Sequence, residues 1–400
     1  MAIKIGDKEI ASMLVGTGAG NKEIKEVWQG TNNGNKLVWQ SLIIPEGYAL
    51  ATDDDFIGTT DGNFQYIGTD EYVVIPNVIK GVPVTSYAGM FMGNSVIKGV
   101  ASNNTNVTNM NSMFGSSSAT TLDLGSFDTS NVTDMSDMFY NSSATALDLS
   151  SFDTSNVTSM SYMFGESSAT ALDLSNFDTY NVTDMSYMFD GSQATTLDLS
   201  NFDTSNVTSM TNMFYNSRAT TLDLSSFDTS NVTYMGSMFR NSSATTGYAR
   251  TQADADRFNT SGNKPTNLNF ILPPPPLATD DDFSGTVDGE FRYIGTATRL
   301  TIPHVIKGVE VTSYASMFSG TTVTEVSSNN PRITDMSSMF RDNSATTLDL
   351  SSFDTSSVTF ITNMFYLASA TIGYARTQVD KDKLNNSSNK PAGLTFIVKP

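Results

Sequence analysis

The sequence predicts an α/β repeat solenoid, and three observations support that prediction. A block of 25 residues recurs along the chain, so a Met-Phe pair returns at every 25th position. Inside the block the apolar period changes from two, typical of a strand, to three and four, typical of a helix. One such unit cannot bury its own apolar face, whereas stacked copies bury a continuous core. The phenylalanines are Phe114, Phe139, Phe164, Phe189, Phe214 and Phe239.

The first half of each block predicts a short strand. Leu122 and Leu124 flank Asp123, so the leucines should point into the core and the aspartate to solvent. Strands of successive blocks would then pair in parallel and form a sheet on one face.

The second half predicts a short helix on the opposite face. Asp128, Thr129 and Ser130 are residues that accept hydrogen bonds from backbone N–H groups at a helix start. Four apolar residues follow at helical spacing and mark one buried stripe. A ligand pocket is the alternative, but identical apolar positions in every block favour a core. The stripe consists of Val132, Met135, Met138 and Phe139.

The whole arrangement occurs twice. ATDDDF begins at Ala51 and again at Ala278, and GYARTQ begins at Gly247 and again at Gly373. We therefore expect two capped arrays with seven and three Met-Phe units, because the exposed ends of a solenoid need atypical caps. The predicted domains are the first array at 43–272, a polyproline spacer at 273–276 and the second array at 277–400.

The caps have their own patterns. The opening segment of the first array predicts β-hairpins from strands at 64–67, 72–75 and 82–84. Each closing segment predicts a short polar helix followed by a strand. The first 42 residues lie outside both arrays and predict a β-rich segment of three short strands. Because Trp28 and Trp39 lie in a segment too small for its own core, we expect 1–42 to dock onto a larger structure or onto copies of itself.

Composition limits the classes of partner. The formal net charge is −19, which disfavours nucleic acid and anionic membranes. Cysteine is absent, which excludes disulfides and thiolate metal sites. No apolar stretch approaches a membrane span. The N-terminus lacks the pattern of a secretory signal, and the C-terminus lacks a wall-sorting or lipid-anchor pattern, so we expect neither export nor anchoring by those routes.

The sequence offers little catalytic chemistry. Nucleophile elbow, P-loop and HExxH patterns are missing, and the single histidine, His304, is replaced by Asn77 in the first copy. We therefore expect no enzyme activity and no cofactor. Clustered carboxylates allow calcium as one interpretation and a solvated turn or cap as the other. The missing Asp-x-Asp-x-Asp-Gly loop favours the cap. The carboxylates concerned are Asp53, Asp55, Asp280 and Asp282.

The candidate binding surface is a column of aspartates on the open face of the predicted sheet. These charges repel each other in register and are flanked by small polar residues. The column could keep the face soluble and block edge pairing, which the sequence favours. It could also bind a cationic or hydroxyl-rich ligand such as a wall glycan, or hold cations. Its members are Asp123, Asp148, Asp173, Asp198 and Asp223.

The repeat LxLxxFDTSxVTxMxxMF resembles the bacterial surface-protein repeat, a branch of the BspA-like leucine-rich-repeat family, over nearly all of 48–400. The resemblance implies a leucine-rich-repeat-like solenoid, adhesion to molecules of a host or neighbouring cell, and no catalytic residues. The segment KIGDKEI…VWQG…LVWQS is similar to the openings of virion structural proteins in phages of Gram-positive bacteria. That similarity implies a segment that docks the protein onto a particle.

Together these patterns favour a non-catalytic phage virion appendage, a tail or head fibre that attaches to bacteria. Its expected partners are other virion proteins through 1–42 and a host surface glycan or protein; a homo-oligomer is a further expectation by analogy with fibres. The alternative is a bacterial cell-surface adhesin of the BspA type. A polysaccharide-degrading enzyme is a third hypothesis, disfavoured because an active site should break the repeat pattern at one place.

Overall fold

The computed structural model describes residues 44–58, 63–285, 290–328 and 330–399, together with the backbone of four strands before residue 45. The chain divides into two compact units, Met1–Pro273 and Pro274–Pro400. Within the described residues, none of the helices has both the length and the apolar character needed to cross a membrane.

The N-terminal segment forms an antiparallel sheet in the order β1-β2-β3-β4. The three predicted strands correspond to β2, β3 and β4, which are ten, ten and eleven residues long. The side chains of Trp28 and Trp39 lie outside the described residues, so the docking prediction stays a prediction. The strands are β1 (Lys4–Ile5), β2 (Lys8–Thr17), β3 (Lys22–Thr31) and β4 (Gly34–Ile44).

The opening cap of the first array differs in part from the predicted hairpins. The segment at 64–67 pairs antiparallel with β6, and β9 pairs antiparallel with β10, as hairpins should. In contrast, β8 lies between β5 and β11 (Gly99–Ala101) and is parallel to both, so it belongs to the solenoid sheet, with β5 at the edge. A 3₁₀ turn occupies Asp53–Asp55. The strands are β5 (Ala49–Leu50), β6 (Phe56–Gly58), β7 (Phe64–Tyr66), β8 (Tyr72–Val74), β9 (Val78–Ile79) and β10 (Val82–Pro83).

The repeats of the first array stack as predicted, with parallel strands in register. Asp123 is opposite Asp148, and Leu122 is opposite Leu147. Strand hydrogen bonding is not assigned at 171–174 and 196–199, so the sheet is less continuous than the sequence suggests. The strands are β11 (Gly99–Ala101), β12 (Thr121–Asp123), β13 (Ala146–Asp148) and β14 (Thr221–Leu224).

The predicted helix in each block is wrong; the segment is a coil of tight turns. Asp137 and Asn141 have positive φ values of 58° and 53°, which a right-handed helix does not allow. The N–H groups of Met135 and Phe139 donate to carbonyls of the next block, Ser159 and Met163, at 3.1 and 2.9 Å. These bonds join one block to the next, whereas the bonds of an α-helix would lie within the block. The apolar spacings of three and four therefore come from successive tight turns.

A second column of parallel bridges replaces the helical face. It runs through one polar residue per block, which follows the strand aspartate by eleven residues in the blocks that contain that aspartate. The array is therefore a coil with two ladders, and its backbone hydrogen bonds are made mostly between neighbours in the stack. The bridged residues are Ser86, Asn109, Asp134, Ser159, Asp184, Ser209 and Tyr234.

The predicted core is confirmed. Val132, Met135, Met138 and Phe139 have no exposed surface, and their equivalents in the other blocks are also buried, apart from a half-buried Met235. Successive phenylalanine rings from Phe91 to Phe239 stack nearly parallel, with centroids 5.5 to 6.0 Å apart. Offset stacking at this separation adds to the burial of apolar area.

The closing cap consists of a polar helix and a strand, as predicted. In α1, Asp254 is buried and receives hydrogen bonds from the N–H and hydroxyl of Thr229, at 3.1 and 2.6 Å. The same carboxylate accepts from the Thr251 hydroxyl at 2.6 Å and from Arg250 at 3.3 Å. One side chain thus ties the cap to the last block. The elements are β15 (Thr246–Ala249), α1 (Gln252–Asn259) and β16 (Asn269–Ile271).

The second unit repeats this plan with fewer blocks. Its sheet has the order β19-β22-β23-β24-β25, all parallel, and its core is continuous. The 3₁₀ turn Asp280–Asp282 opens it, and α2 closes it. The other elements are β17 (Phe283–Gly285), β18 (Phe291–Tyr293), β19 (Arg299–Thr301), β20 (Val305–Ile306), β21 (Val309–Glu310), β22 (Glu325–Ser327), β23 (Thr347–Leu350), β24 (Ile372–Ala375), α2 (Gln378–Asn385) and β25 (Thr395–Val398).

Part of the predicted spacer belongs to the second unit. The Thr301 hydroxyl donates to the carbonyl of Pro275 at 2.8 Å, and its N–H donates to Pro276 at 2.7 Å. Leu277 forms a parallel bridge with Thr301. Proline cannot donate to a ladder, but its carbonyl can accept, so the extended segment serves as an edge strand.

Candidate functional site

The predicted aspartate column lies on the surface of the first array. Asp123, Asp148, Asp173, Asp198 and Asp223 are all exposed. Strand pairing places the first two opposite each other, about 4.8 Å apart as in any parallel sheet. We call these five residues the acidic column. The structure brings them together as the sequence predicts.

Each carboxylate of the acidic column also has a local role. Asp148 accepts hydrogen bonds from the N–H and hydroxyl of Ser150, at 3.0 and 2.6 Å. Asp173 makes the same pair of bonds to Ser175. These bonds favour the ionised form and lower the pKa of both aspartates. The carboxylates of Asp148 and Asp173 are therefore charged at neutral pH. Each member of the column stabilises the turn after its own strand.

Tyrosines flank the acidic column at both ends, which sequence reasoning missed. Tyr72 and Gly99 precede Asp123 in register, and Tyr248 follows Asp223. The rings of Tyr48 and Tyr72 meet edge to face, with centroids 5.4 Å apart. Gly99 is required between them, because a β-carbon there would lie 2.6 Å from each.

Tyr48 is coupled to the first carboxylate of the acidic column. Burial, followed by a hydrogen bond to Asp123, raises the pKa of the Tyr48 hydroxyl well above its usual value. The hydroxyl therefore stays protonated and donates to the carboxylate. Tyr248 could have been predicted from the sequence, because it lies 25 residues after Asp223 and so continues the register of the column. Tyr48 lies outside the repeat, and its position could not have been predicted.

In the second array, the equivalent column contains ion pairs. The register Arg299, Glu325, Asp349 and Tyr374 corresponds to the column of the first array. Arg299 pairs with Glu325 at 2.5 Å, and Lys399 pairs with Asp349 at 2.6 Å. Burial opposes ionisation of Asp349, but the bonds from Lys399 and Ser351 outweigh it and lower its pKa. This shorter column is neutralised by the chain's own cations, whereas the acidic column has no ion pair among the described residues.

The candidate calcium residues already have partners within the chain. Asp53 accepts from the Lys80 N–H at 2.6 Å, and Asp55 accepts from the N–H and hydroxyl of Thr52 at 2.7 and 2.8 Å. Asp280 and Asp282 make the matching bonds in the second unit, to Lys307 and Thr279. These are bonds of a capped 3₁₀ turn. In the part of the chain that the structure describes, no cluster of three or more His, Cys, Asp or Glu could hold a metal ion.

His304 serves in the opening cap of the second unit. Its carbonyl accepts from the N–H of Val311 at 2.9 Å, as the carbonyl of Asn77 accepts from Val84 in the first unit. The backbone of this position is therefore used identically in both copies, whatever the side chain.

Comparison with known proteins gives one match. The model of the family described as "Mycoplasma protein of unknown function, DUF285" matches residues 81–173, 141–250 and 305–388, which is more than half of the chain. The matches lie in the two repeat arrays and are consistent with the resemblance to BspA-like surface repeats. No curated protein and no solved structure matches the chain.

Proposed function

We propose, from the premise that the chain belongs to the DUF285 family, that it is a non-catalytic attachment protein. The first array presents its acidic column to a cell surface, and the solenoid supplies a rigid support for it. Residues 1–42 dock the protein onto a larger assembly.

The contrast between the two arrays carries this proposal. Like charges in register oppose stacking, and the second array offsets them with Arg299 and Lys399. The first array keeps five exposed carboxylates without such partners among its described residues, and places tyrosines at both ends. Carboxylates accept hydrogen bonds from hydroxyl groups and attract cations, while tyrosine rings pack against apolar faces. A surface glycan carrying hydroxyl and amino groups fits this combination.

The larger assembly is a phage virion in this proposal. The support is the resemblance of 1–42 to virion structural proteins and the antiparallel pairing of its strands, which is unlike the parallel arrays. The protein is then a tail or head fibre component that attaches the particle to a bacterium.

Deletion of residues 1–42 tests both parts separately. We expect the truncated chain to bind intact Gram-positive cells as the full chain does, and to be missing from purified particles. Labelled protein counted on washed cells, and immunoblots of particles, provide the two measurements. Incorporation of the truncated chain into particles would contradict the docking role, whereas loss of cell binding would assign attachment to residues 1–42.

A bacterial cell-surface adhesin is the second candidate. The observation in its favour is the family description, which refers to Mycoplasma proteins and therefore to cells. Fractionation of cells that contain no phage particles tests it. Recovery of the protein from the envelope fraction would support the adhesin and contradict the virion.

A further inference from the structure

Two consecutive turns of the first array depart from the usual sequence just after the Met-Phe pair. The second residue after the Met-Phe pair is Glu166 in one turn and Gly191 in the next. Glu166 has a φ of 53°, in the left-handed region that favours glycine and asparagine. Gly191 has a φ of 61°, and a β-carbon there would lie 2.5 Å from the Glu166 carboxylate, which would have to move. Three other turns of this array have asparagine here, namely Asn141, Asn216 and Asn241.

A buried carboxylate lies beside Glu166. Asp190 is 9 % exposed, and its Oδ1 atom has no hydrogen-bond partner. Its backbone carbonyl accepts from the Glu166 N–H at 2.5 Å. Burial, and then the charge of Glu166, raise the pKa of Asp190 to about 6. Neither carboxylate forms an ion pair within the described residues, so no cation of this part of the chain offsets the effect of Glu166 on Asp190.

Three tyrosines complete the cluster. The rings of Tyr140 and Tyr162 are perpendicular with centroids 5.6 Å apart, and Tyr187 stacks on Tyr162 at 4.1 Å. Gly165 lies against the first two rings, since a β-carbon there would be 3.2 Å from each. Burial, the Tyr187 hydroxyl and the charge of Asp190 all raise the pKa of Tyr162, so the Asp190 carboxylate lies near this ring.

At two other places in the arrays, an arginine lies over a tyrosine ring at the same position in the block as Tyr140. The guanidinium of Arg240 lies 5.7 Å from the ring of Tyr215, which has the same position in its block as Tyr140 has three repeats earlier. Arg341 lies over Tyr366 in the second array, at 5.4 Å. The residues 25 before and 25 after Tyr140 are Gly115 and Gly165. At Tyr140 the column therefore has the ring but no arginine from the adjacent turns.

We propose that Tyr140, Tyr162, Glu166 and Asp190 form a binding site for a ligand with a primary or quaternary ammonium group. The cation would lie against the ring faces and offset the charge of both carboxylates. Ammonium groups are held by aromatic faces and carboxylates together. A hard divalent cation prefers six or more oxygen ligands, which two carboxylates among aromatic rings do not provide. This site is separate from the acidic column and does not depend on the proposed attachment function.

Calorimetric titration of the full chain tests the site with simple probes. Tetramethylammonium and methylammonium chloride distinguish the quaternary from the primary form, at constant ionic strength and pH 7.5. We expect saturable binding of at least one probe. Asp190→Asn and Glu166→Asn should each weaken it about tenfold, since each removes one of the two charges that contact the cation. Glu166→Asn restores the residue usual in the repeat, so the fold should tolerate it.

A matched control is Tyr366→Ala, because that ring pairs with Arg341 in the second array and is remote in sequence from the proposed site. Tyr140→Ala should weaken binding about tenfold and Tyr366→Ala should leave it unchanged. Affinity of the unaltered protein should also fall as pH drops through about 6, because Asp190 then takes up a proton between Glu166 and Tyr162. Absence of binding, equal affinity in all variants, or displacement of the probe by calcium chloride or methyl glucoside would overturn the proposal.

Discussion

At the scale of single residues, buried hydroxyl groups join one block to the next. Thr154 has no exposed surface, donates to the carbonyl of Asp178 at 2.8 Å and accepts from its N–H at 2.8 Å. Thr129, Thr179 and Thr204 repeat the donation in neighbouring blocks. The sequence predicted the segment as a helix start, so it predicted polar bonds here but assigned them to the wrong partners.

Replacement of Thr154 by valine tests this column. Valine has nearly the same shape but leaves both Asp178 groups without a partner, so we expect a loss of about 1–3 kcal/mol in the free energy of unfolding. Urea denaturation measures it. The control is Thr158→Val, because Thr158 is exposed and its single bond to Thr133 at 3.0 Å can be replaced by water. Equal losses in both variants would contradict the role of the buried column.

Asp190 should make stability depend on pH. Its folded pKa of about 6 lies above the usual value near 3.9, so the folded state holds the proton more tightly. The resulting stability is complete below about pH 4 and is lost as pH rises through about 6. Asp190→Asn should therefore be more stable than the unaltered protein by about 1–2 kcal/mol at pH 7.5, with the difference vanishing at pH 4. Thermal unfolding at the two pH values measures this; a constant difference would contradict it.

At the scale of elements, the register of the repeats and the closing caps were predictable, whereas part of the opening cap and the second half of the block were not. The alternation in Leu-Asp-Leu indicates only a strand, and the pattern of the closing cap indicates only a helix followed by a strand. The spacing of Val132, Met135 and Met138 has two interpretations, because turns with left-handed residues also return a side chain to the core every three or four positions. Asp137 and Asn141 are compatible with such turns but do not demand them, so periodicity alone favoured the helix.

The closing caps depend on one carboxylate each. Asp380 in α2 accepts from the N–H and hydroxyl of Thr355 at 3.1 and 2.6 Å, from Thr377 at 2.5 Å and from Arg376 at 3.2 Å. Burial opposes its ionisation, but these bonds outweigh it and lower its pKa to about 2. The cap is thus stabilised by a charged group that is almost fully covered.

Asp380→Asn should therefore destabilise the second unit. The lowered pKa contributes about 2 kcal/mol above pH 4, and this contribution is lost as pH falls through about 2. We expect faster hydrogen exchange in α2 and β25 at pH 7, with the first unit unchanged because it has its own core. The matched variant Asp254→Asn should affect only α1 and β16. Exchange that changes equally in both units would contradict separate capping.

At the scale of the whole molecule, the repeats predicted the architecture and the acidic column, whereas the features that depend on departures from the repeat were not predicted. Register placed the acidic column correctly because every block contributes the same residue. The flanking tyrosines, the neutralised second column and the cluster at Glu166 lie where one copy departs from the others. The prediction treated the blocks as equivalent and overlooked the change at Glu166 and Asp190. The change is visible in the sequence: Gly-Glu-Ser and Asp-Gly-Ser follow the Met-Phe pair in these two blocks, whereas three other blocks have Asn-Ser at the second and third positions after that pair.

The most direct test of the attachment surface compares two triple variants that remove equal charge. Asp148, Asp173 and Asp198 belong to the acidic column, whereas Asp153, Asp178 and Asp203 lie five residues later and cap similar turns. All six are exposed, and asparagine can still accept the same N–H bonds. Binding of each full-length variant to intact bacterial cells is measured at fixed ionic strength. Loss of binding only in the first variant is the expected result; equal binding by both variants would contradict the acidic column as the attachment surface.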